Sequence, residues 1–420
     1  MTSTRSFDVV VIGAGPAGMA AAYTACGGGV RVGLVDDNPA SGGQIWRGET
    51  GNEWFEAIGR APIETLYNTR VIGLAEPGSL ISETDSGPAD LRFAKLILAT
   101  GARERFIPFP GWTLPNVTGA GGLQALAKGG LDIGGKRVVV AGTGPLLLAV
   151  GAYLRKQGAE VVMILEQAPP ARIASFGRAV LRKPGKLLEA ASLTWRLRRV
   201  PYLMDSWPVA ADGDGRLEEV VIQSSGKRIR AACDYLACGF GLVPNVELAA
   251  VAGCRVTDGA VAVDEWQRTT VRDIYCAGEP TGVGGLELAL VQGRIAGFAA
   301  TGDQTSARHL FESRASTERF RDSLARAFRL RDELKQLASP ETLVCRCEDV
   351  PLSKLAPHES WRAIKLHTRC GMGPCQGRIC GPAVEFLRGI PPDSARPPVY
   401  PASVGCLASW AAKKTDGPGL

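Results

Sequence analysis

The stretch that most constrains this chain is its first thirty-odd residues, where an apolar β-branched run, FDVVVIG (7–13), leads into Gly13-Ala14-Gly15-Pro16-Ala17-Gly18 and then MAAAYTA. Strand, glycine turn and helix occur in the order that a dinucleotide-binding βαβ unit needs. Gly13 permits the tight turn, Gly15 lets the backbone approach a pyrophosphate, and Gly18 allows close packing of helix on strand, with the phosphates at the helix N-terminus. A second strand, Val30 to Val35, ends at Asp36, 23 residues after Gly13, with Asp37 beside it. That is near the spacing of the carboxylate that takes ribose hydroxyls. A lone glycine motif is weak evidence, but strand, turn, helix, strand and acid together predict a nucleotide-binding α/β fold.

Three further segments extend this reading. SGGQIWRG (41–48) places Gly43 and Gln44 where backbone could come near a flavin ring or a diphosphate. AKLILATGARER (94–105) predicts a strand ending at Ala99-Thr100-Gly101, and residues 269–279 predict another ending at Gly278-Glu279, followed by a helix in GGLELALVQGRIAGFAA. Together these resemble the FAD domain of the glutathione-reductase-like two-dinucleotide flavoproteins. The resemblance implies that Glu279, where aspartate is usual, holds the flavin ribityl chain, and that the following helix points its N-terminus at the flavin. Between the two FAD halves lies a second nucleotide pattern: KRVVVA, then Gly142-Thr143-Gly144-Pro145-Leu146-Leu147, a helix, and VVMIL ending at Glu166. Leu147 stands at the third glycine position, where a bulky side chain is expected to crowd helix against strand. Efficient NAD(P)H binding is therefore not expected there, and the domain reads as a scaffold or as a holder of a non-redox nucleotide.

Five cysteines crowd into 345–380, within VCRCEDV and TRCGMGPCQGRIC. Thiolates hold iron in clusters that pass single electrons, whereas a flavin exchanges one or two, so a chain carrying both signals electron transfer. Cys345-x-Cys347 supplies one pair of ligands. The second pair is either Cys370 and Cys375 or Cys375 and Cys380, each spaced C-x4-C. The second choice is preferred because the Gly371-Met372-Gly373-Pro374 turn leads directly into Cys375 and Gly377 lets backbone pass close to sulfur. Cys370 is then the spare. Structural zinc and reduced buried thiols are the alternatives, and C-x-C suits a cluster better than zinc's usual C-x2-C. The segment resembles the bacterioferritin-associated-ferredoxin type of [2Fe-2S] domain carried at the C-terminus of certain flavoprotein subunits, in which GMGPCQG and the cysteine five residues later recur.

The remaining composition agrees. At 420 residues, with 45% hydrophobic residues and 52 glycines, the chain has material for two or three α/β domains. Six other cysteines (26, 233, 238, 254, 276 and 406) form no disulfide-like framework. The first strand begins almost at once, leaving no room for a signal peptide, and no apolar run reaches membrane-spanning length, so a cytoplasmic setting is expected, with peripheral attachment at the inner face of the membrane left open. Net charge is +6, spread out except for a basic stretch from Arg172 to Arg199, read either as a solvated helix face or as a docking surface for an acidic partner or membrane. Without a stacking platform or a recognised binding fold, nucleic acid is not an expected partner. The expected layout is an FAD-binding domain at 1–122 and 256–305, a second nucleotide domain at 123–255, a helical linker at 306–340, a [2Fe-2S] domain at 341–390 and a Pro-rich tail at 391–420, where GIPPDSARPPVYPASVG reads as extended chain packed over another domain.

Substrate chemistry is harder to find. The three histidines (309, 358 and 367) lie away from the nucleotide motifs, and no cysteine pair flanks them, which argues against disulfide reduction. Over nearly its whole length the chain resembles the flavin and iron–sulfur (alpha or A) subunit of bacterial heteromeric amino-acid dehydrogenases, the proline, hydroxyproline and opine dehydrogenases and hydrogen cyanide synthase, with related architecture in the sarcosine oxidase alpha subunit. The resemblance implies a D-amino-acid-oxidase-like partner subunit that oxidises the C–N bond with its own FAD, room for a third small subunit, and a quinone or other electron acceptor. It also implies FAD or ATP at the first site and allows FMN at a subunit interface. An NAD(P)H-dependent ferredoxin-type reductase and a non-redox, zinc-bearing scaffold are the readings from other classes.

Overall fold

The computed structural model describes residues 3–49, 51–181 and 183–415. The chain divides into two compact units, one built from Met1–Arg103, Val243–Arg321 and Ser394–Leu420, the other from Glu104–Leu242 and Asp322–Asp393.

In the first unit the opening apolar run forms the strand Ser3–Ile12 at the centre of a seven-stranded sheet. Val9, Val10 and Val11 are essentially inaccessible, as expected of a parallel strand covered on both faces. Val32–Val35 and then Ile63–Leu66 pair parallel on one side of it. On the other side runs the long strand Gly87–Leu98, whose last residues pair parallel with Ile274–Cys276 while its first residues take the antiparallel strands Ser79–Thr84 and, beyond it, Arg70–Glu76. The late segment thus joins the sheet nearly two-thirds of the chain's length away from the first strand, as the nucleotide-fold reading requires.

The helix after the glycine turn, Pro16–Cys26, packs on the late helix Leu286–Thr301. Small residues set that contact: a Cβ on Gly293 would stand 2.1 Å from the Ala17 carbonyl oxygen, and one on Gly297 would stand 2.0 Å from Thr24 Oγ1. The tail departs in part from the expected extended chain. Val399 N–H donates to the Ile72 carbonyl, but a helix, Val404–Thr415, follows and buries Cys406 and Trp410 with Ile72 and Ile81.

In the second unit a five-stranded parallel sheet runs Tyr202–Met204, Glu160–Glu166, Arg137–Gly142, Tyr235–Gly239, Val117–Gly119, accompanied by the antiparallel strands Ser206–Asp212, Glu219–Ser224 and Lys227–Ala232. The residues expected to be a helical linker form Gln304–Arg308, Phe311–Ala327 and a 3-10 turn at Asp332–Gln336. The cysteine-rich segment has its own small core: strands Leu343–Cys345 and Val350–Pro351 and helices Leu352–Leu355, Trp361–Thr368 and Cys380–Arg388 enclose Val344, Leu355, Trp361 and Ile364.

Candidate functional site: a dinucleotide turn and a cysteine-lined cavity

The first glycine turn has the geometry its spacing predicts. Gly13 (φ +102°) lies so close to the neighbouring strand that a Cβ would stand 2.2 Å from the Ala99 carbonyl oxygen, and one on Gly18 would stand 1.7 Å from that of Gly13. Gly15, by contrast, meets only the Cα of Gly43, at 3.9 Å, and leaves open backbone where a pyrophosphate would approach. As N-cap of Pro16–Cys26 it has no side chain to take the first-turn amides, so those of Ala17 and Gly18 are available to an anion. Asp36, buried at the end of its strand, accepts from Ala14 N–H at 2.5 Å and from Asn38 N–H at 2.8 Å. Asp37 and Gln44 are exposed, and Asp37 pairs with Arg70 at 3.6 Å rather than joining the turn. Ala99-Thr100-Gly101 is tied to Asn245, which accepts the Thr100 hydroxyl on its carbonyl oxygen and donates its amide to the Thr100 carbonyl.

Among the polar atoms of this unit that are shielded without a hydrogen-bond partner are Glu279 Oε2 and Arg47 Nε. Glu279 Oε1 accepts Gly285 N–H at 2.9 Å, just before the late helix, while its second oxygen has nothing to accept. Burial raises its pKa, partly offset by the amides of Gly285 and Gly284. A buried acceptor without a donor costs about 1–3 kcal/mol, and the hydroxyl of a ribityl chain would satisfy it. Arg47, in the 41–48 loop, donates through Nη2 to Asn38 Oδ1 and so reaches the neighbourhood of Asp36. These atoms fit a flavin dinucleotide. Arg47, Asn245 and Gln292, whose Oε1 accepts Gly278 N–H at 2.9 Å, were not foreseen from sequence, because single polar residues outside a motif carry no spacing signal.

The second glycine turn is different in kind. Leu147 does not push helix from strand: it is fully buried among Ala120, Val140 and Ala237, and its Cδ2 faces Gly239, where a Cβ would stand 3.2 Å away. Small residues across the contact absorb the bulk that the turn itself lacks. The chain covers this turn instead. Phe328 lies over Gly144, its ring carbon 3.9 Å from where a Cβ would be, and Phe176 packs edge-on to it with centroids 5.2 Å apart. Gln167 Nε2 donates to Thr143 Oγ1 at 2.9 Å and to the Arg329 carbonyl at 3.3 Å, while Arg331 N–H donates back to Gln167 Oε1. Glu166 is completely buried and accepts Gly144 N–H, Thr143 Oγ1–H and Ala168 N–H at 2.7–2.8 Å. Glu166 thus repeats the loop bonding of Asp36, and the cover of Phe328 over Gly144 is what sets this turn apart.

The five cysteines of the C-terminal segment converge. Cys345, Cys347, Cys375 and Cys380 line one concavity of about 270 Å³ with Phe106, Trp112, Arg346 and Ile379. Cys370 is buried behind that wall, yet its sulfur, with those of Cys345 and Cys380, belongs to a trio within 4.8 Å of one another. It is therefore not a remote spare. The trio and the cavity share Cys345 and Cys380 but differ in Cys370 against Cys347 and Cys375, and the cavity is the better guide to a cluster, because a cluster needs space that all its ligands face. Thiols of Cys370 and Cys380 donate to Cys345 and hold it well below the ordinary thiol range, while Cys380, sharing its proton with Cys345, Cys370 and Cys375, is pushed far above it. Donation from Cys380 lowers Cys375 to about 5. So many sulfurs in contact cannot all ionise without a cation among them, and that donor set fits a thiolate-bound metal centre. Glycine backbone does meet sulfur here, the Gly377 amide donating to Cys375 and the Gly371 amide to Cys345. The same two glycines pass against the Trp361 indole, where Cβ atoms would stand at 3.1 and 2.6 Å, and Gly373 also approaches cysteine, since its Cβ would stand 2.3 Å from Cys347 Cβ.

Residues 7–296 match the pyridine nucleotide-disulphide oxidoreductase family, and the match carries with it an FAD-type flavin site. The opine oxidase A-subunit of Agrobacterium tumefaciens is 33% identical, over 91% of this chain and 85% of that protein. Hydrogen cyanide synthase subunit HcnB of Pseudomonas protegens is 31% identical, over 89% of this chain and 90% of that protein. Among solved structures, L-proline dehydrogenase from P. horikoshii superposes on 97% of this chain and 80% of its own, with a TM-score of 0.68 at 20% identity, a likeness of fold. A chain whose signature runs from residue 7 to residue 296 and whose relatives match it over about nine-tenths of its length is an oxidoreductase that belongs to the pyridine nucleotide-disulphide oxidoreductase family.

Proposed function

We propose that this chain is the electron-transfer subunit of a heteromeric amino-acid dehydrogenase of the proline, hydroxyproline or opine type. In this reading a separate flavoprotein subunit oxidises a CH–NH group to C=N, releasing two electrons and two protons, and the electrons reach an acceptor such as a quinone through the present chain. The observation that carries the reading is the pairing, in one chain, of a flavin-type turn with an orphaned Glu279 oxygen and a cavity walled by four thiols. FAD at the first turn, held by Gly13, Gly15, Gly18, Asp36 and Glu279, and a [2Fe-2S] cluster on Cys345, Cys347, Cys375 and Cys380 would supply two-electron and one-electron transfer. The likeness to named subunits of opine oxidase and hydrogen cyanide synthase supports the division of labour. The cover that Phe328 places on Gly144 weighs against a self-sufficient NAD(P)H reductase. A cytoplasmic location accords with the free thiols of the described cysteines, and among the described residues no helix is long and apolar enough to cross a membrane.

The test is expression with and without a D-amino-acid-oxidase-like partner gene, following dye reduction with proline, hydroxyproline, opines and glycine. Turnover is expected only with the partner; turnover of any of these by the chain alone overturns the reading. Identification of the nucleotide released on denaturation checks the first site, where ATP alone would move the flavin role to an interface FMN or to the partner.

A further inference from the structure

Between Pro170 and Arg199 the chain carries eight Lys and Arg residues against one acid, Glu189, a net +7. The whole chain nets +6, so its other 390 residues together net −1. The positive surplus of this protein is therefore confined to one segment, folded as two consecutive helices of the second unit, Pro170–Leu181 and Pro184–Arg196. Its one acid is occupied by Lys186 at 3.0 Å.

The same hairpin holds four of the thirteen large apolar side chains that stand exposed among the described residues: Leu181, Leu187, Leu188 and Trp195. Helix Pro184–Arg196 buries no residue fully, and it is held to the unit along one side only, where partly buried Leu193 and, just past its end, buried Leu197 pack into the core under the second sheet. Leu188, Ala191 and Trp195 recur at i, i+3 and i+7 on the opposite side, a ridge about 10 Å long. Leu188 keeps 72% of its surface exposed and Trp195 67%. Around the ridge stand Lys183, Lys186, Arg196, Arg198 and Arg199, and the Arg198 guanidinium lies 4.7 Å over the Trp195 ring.

A solvated helix face would mix both signs of charge with polar residues, and this one offers leucines and an indole to water. Exposed apolar ridges of that kind mark an interaction surface. The chemistry of the partner follows from what surrounds the ridge. Cores of protein interfaces are depleted of charge, and lysine is scarce in them altogether. Leucine and tryptophan set among lysines and arginines, with long basic side chains able to reach sideways to phosphates, is the composition of a helix lying in a bilayer interface. We infer that the 170–199 hairpin docks this chain on anionic phospholipid, with Leu188 and Trp195 entering the headgroup region and the basic residues meeting the phosphates. The inference does not depend on the redox reading.

Flotation of the full chain with phosphatidylcholine vesicles, with and without phosphatidylglycerol, tests it. Binding is expected only with phosphatidylglycerol, should vanish in high salt, and should fall about fivefold for each of Lys186→Gln and Arg196→Gln. The pair Leu188→Ser and Trp195→Ser should lose flotation while keeping the thermal midpoint, and a blue shift of tryptophan emission on vesicles should disappear in Trp195→Phe. Equal flotation on neutral vesicles, no flotation at all, or unimpaired flotation of the serine pair overturns the proposal. Retention on an acidic polypeptide that anionic vesicles fail to displace would assign the ridge to a protein partner and overturn it as well.

Discussion

Glu279 is the residue whose chemistry is most exposed to test. Its folded-state pKa is raised by burial, so the folded, flavin-free chain holds that proton more tightly than the unfolded chain does. Stability contributed by this group is therefore present below the ordinary carboxyl pKa and falls as pH rises through the raised one. Glu104 and Glu166 are raised for the same reason and add to the trend, so the variant difference isolates Glu279. Glu279→Gln is expected to raise the melting temperature of flavin-free protein near neutral pH and flatten that pH dependence. It should also weaken flavin retention by about tenfold or more, the worth of a hydrogen bond to a charged acceptor. An unchanged flavin off-rate in Glu279→Gln would detach this oxygen from the cofactor. At the cysteines, Cys375→Ser should abolish bound iron and its visible absorption and Cys370→Ser should leave them largely intact. Iron lost from Cys370→Ser but kept in Cys380→Ser would reverse the ligand assignment. Gly373→Ala should act like a ligand loss, because its new Cβ would displace Cys347.

At the scale of elements, the contact between Pro16–Cys26 and Leu286–Thr301 sets two effects against each other. Glycine inside an exposed helix costs about 1 kcal/mol relative to alanine, which alone would make Gly293→Ala stabilising. The alanine Cβ would stand 2.1 Å from the Ala17 carbonyl oxygen, which is backbone and cannot swing aside. Overpacking of about 1–3 kcal/mol should win, and denaturant unfolding should show a net loss. Phe328 makes the corresponding test in the second unit. The intact chain should show no flavin reduction by NADH or NADPH, and Phe328→Ala should expose Gly144 enough for adenine nucleotide binding to become measurable by calorimetry. Wild-type reduction within about a second, a typical turnover time, would revive the reductase reading.

Across the whole molecule, the first glycine turn with Glu279 and the thiol cavity fall in different compact units, the latter completed by Phe106 and Trp112 of the second unit. Loss of iron in Cys375→Ser should therefore leave flavin content near wild type when both are assayed on one preparation. Joint loss of iron and flavin would mean that the two units do not fold independently of the cluster.

Short-range patterns were legible along the chain. Strand, glycine turn, helix and acid at 7–36 follow from local sterics, since Gly13 takes a φ of +102° and a Cβ on Gly18 would stand 1.7 Å from the Gly13 carbonyl oxygen, and the paired cysteines announce their chemistry by type and spacing. What depended on residues far apart was not legible. Leu147 looked too large because the small partner it needs, Gly239, is 92 positions away, and the true cover of the second turn, Phe328, is brought to Gly144 by helices between. The Trp361 indole that Gly371 and Gly377 both meet leaves no mark in the spacing, and spacing sets Cys370 aside although packing returns its sulfur to Cys345 and Cys380. Local sequence determined the turns and the donors, because backbone geometry is a property of neighbours. Tertiary structure decided which turn stays open and which sulfurs share a cavity, because excluded volume is settled only where distant segments meet.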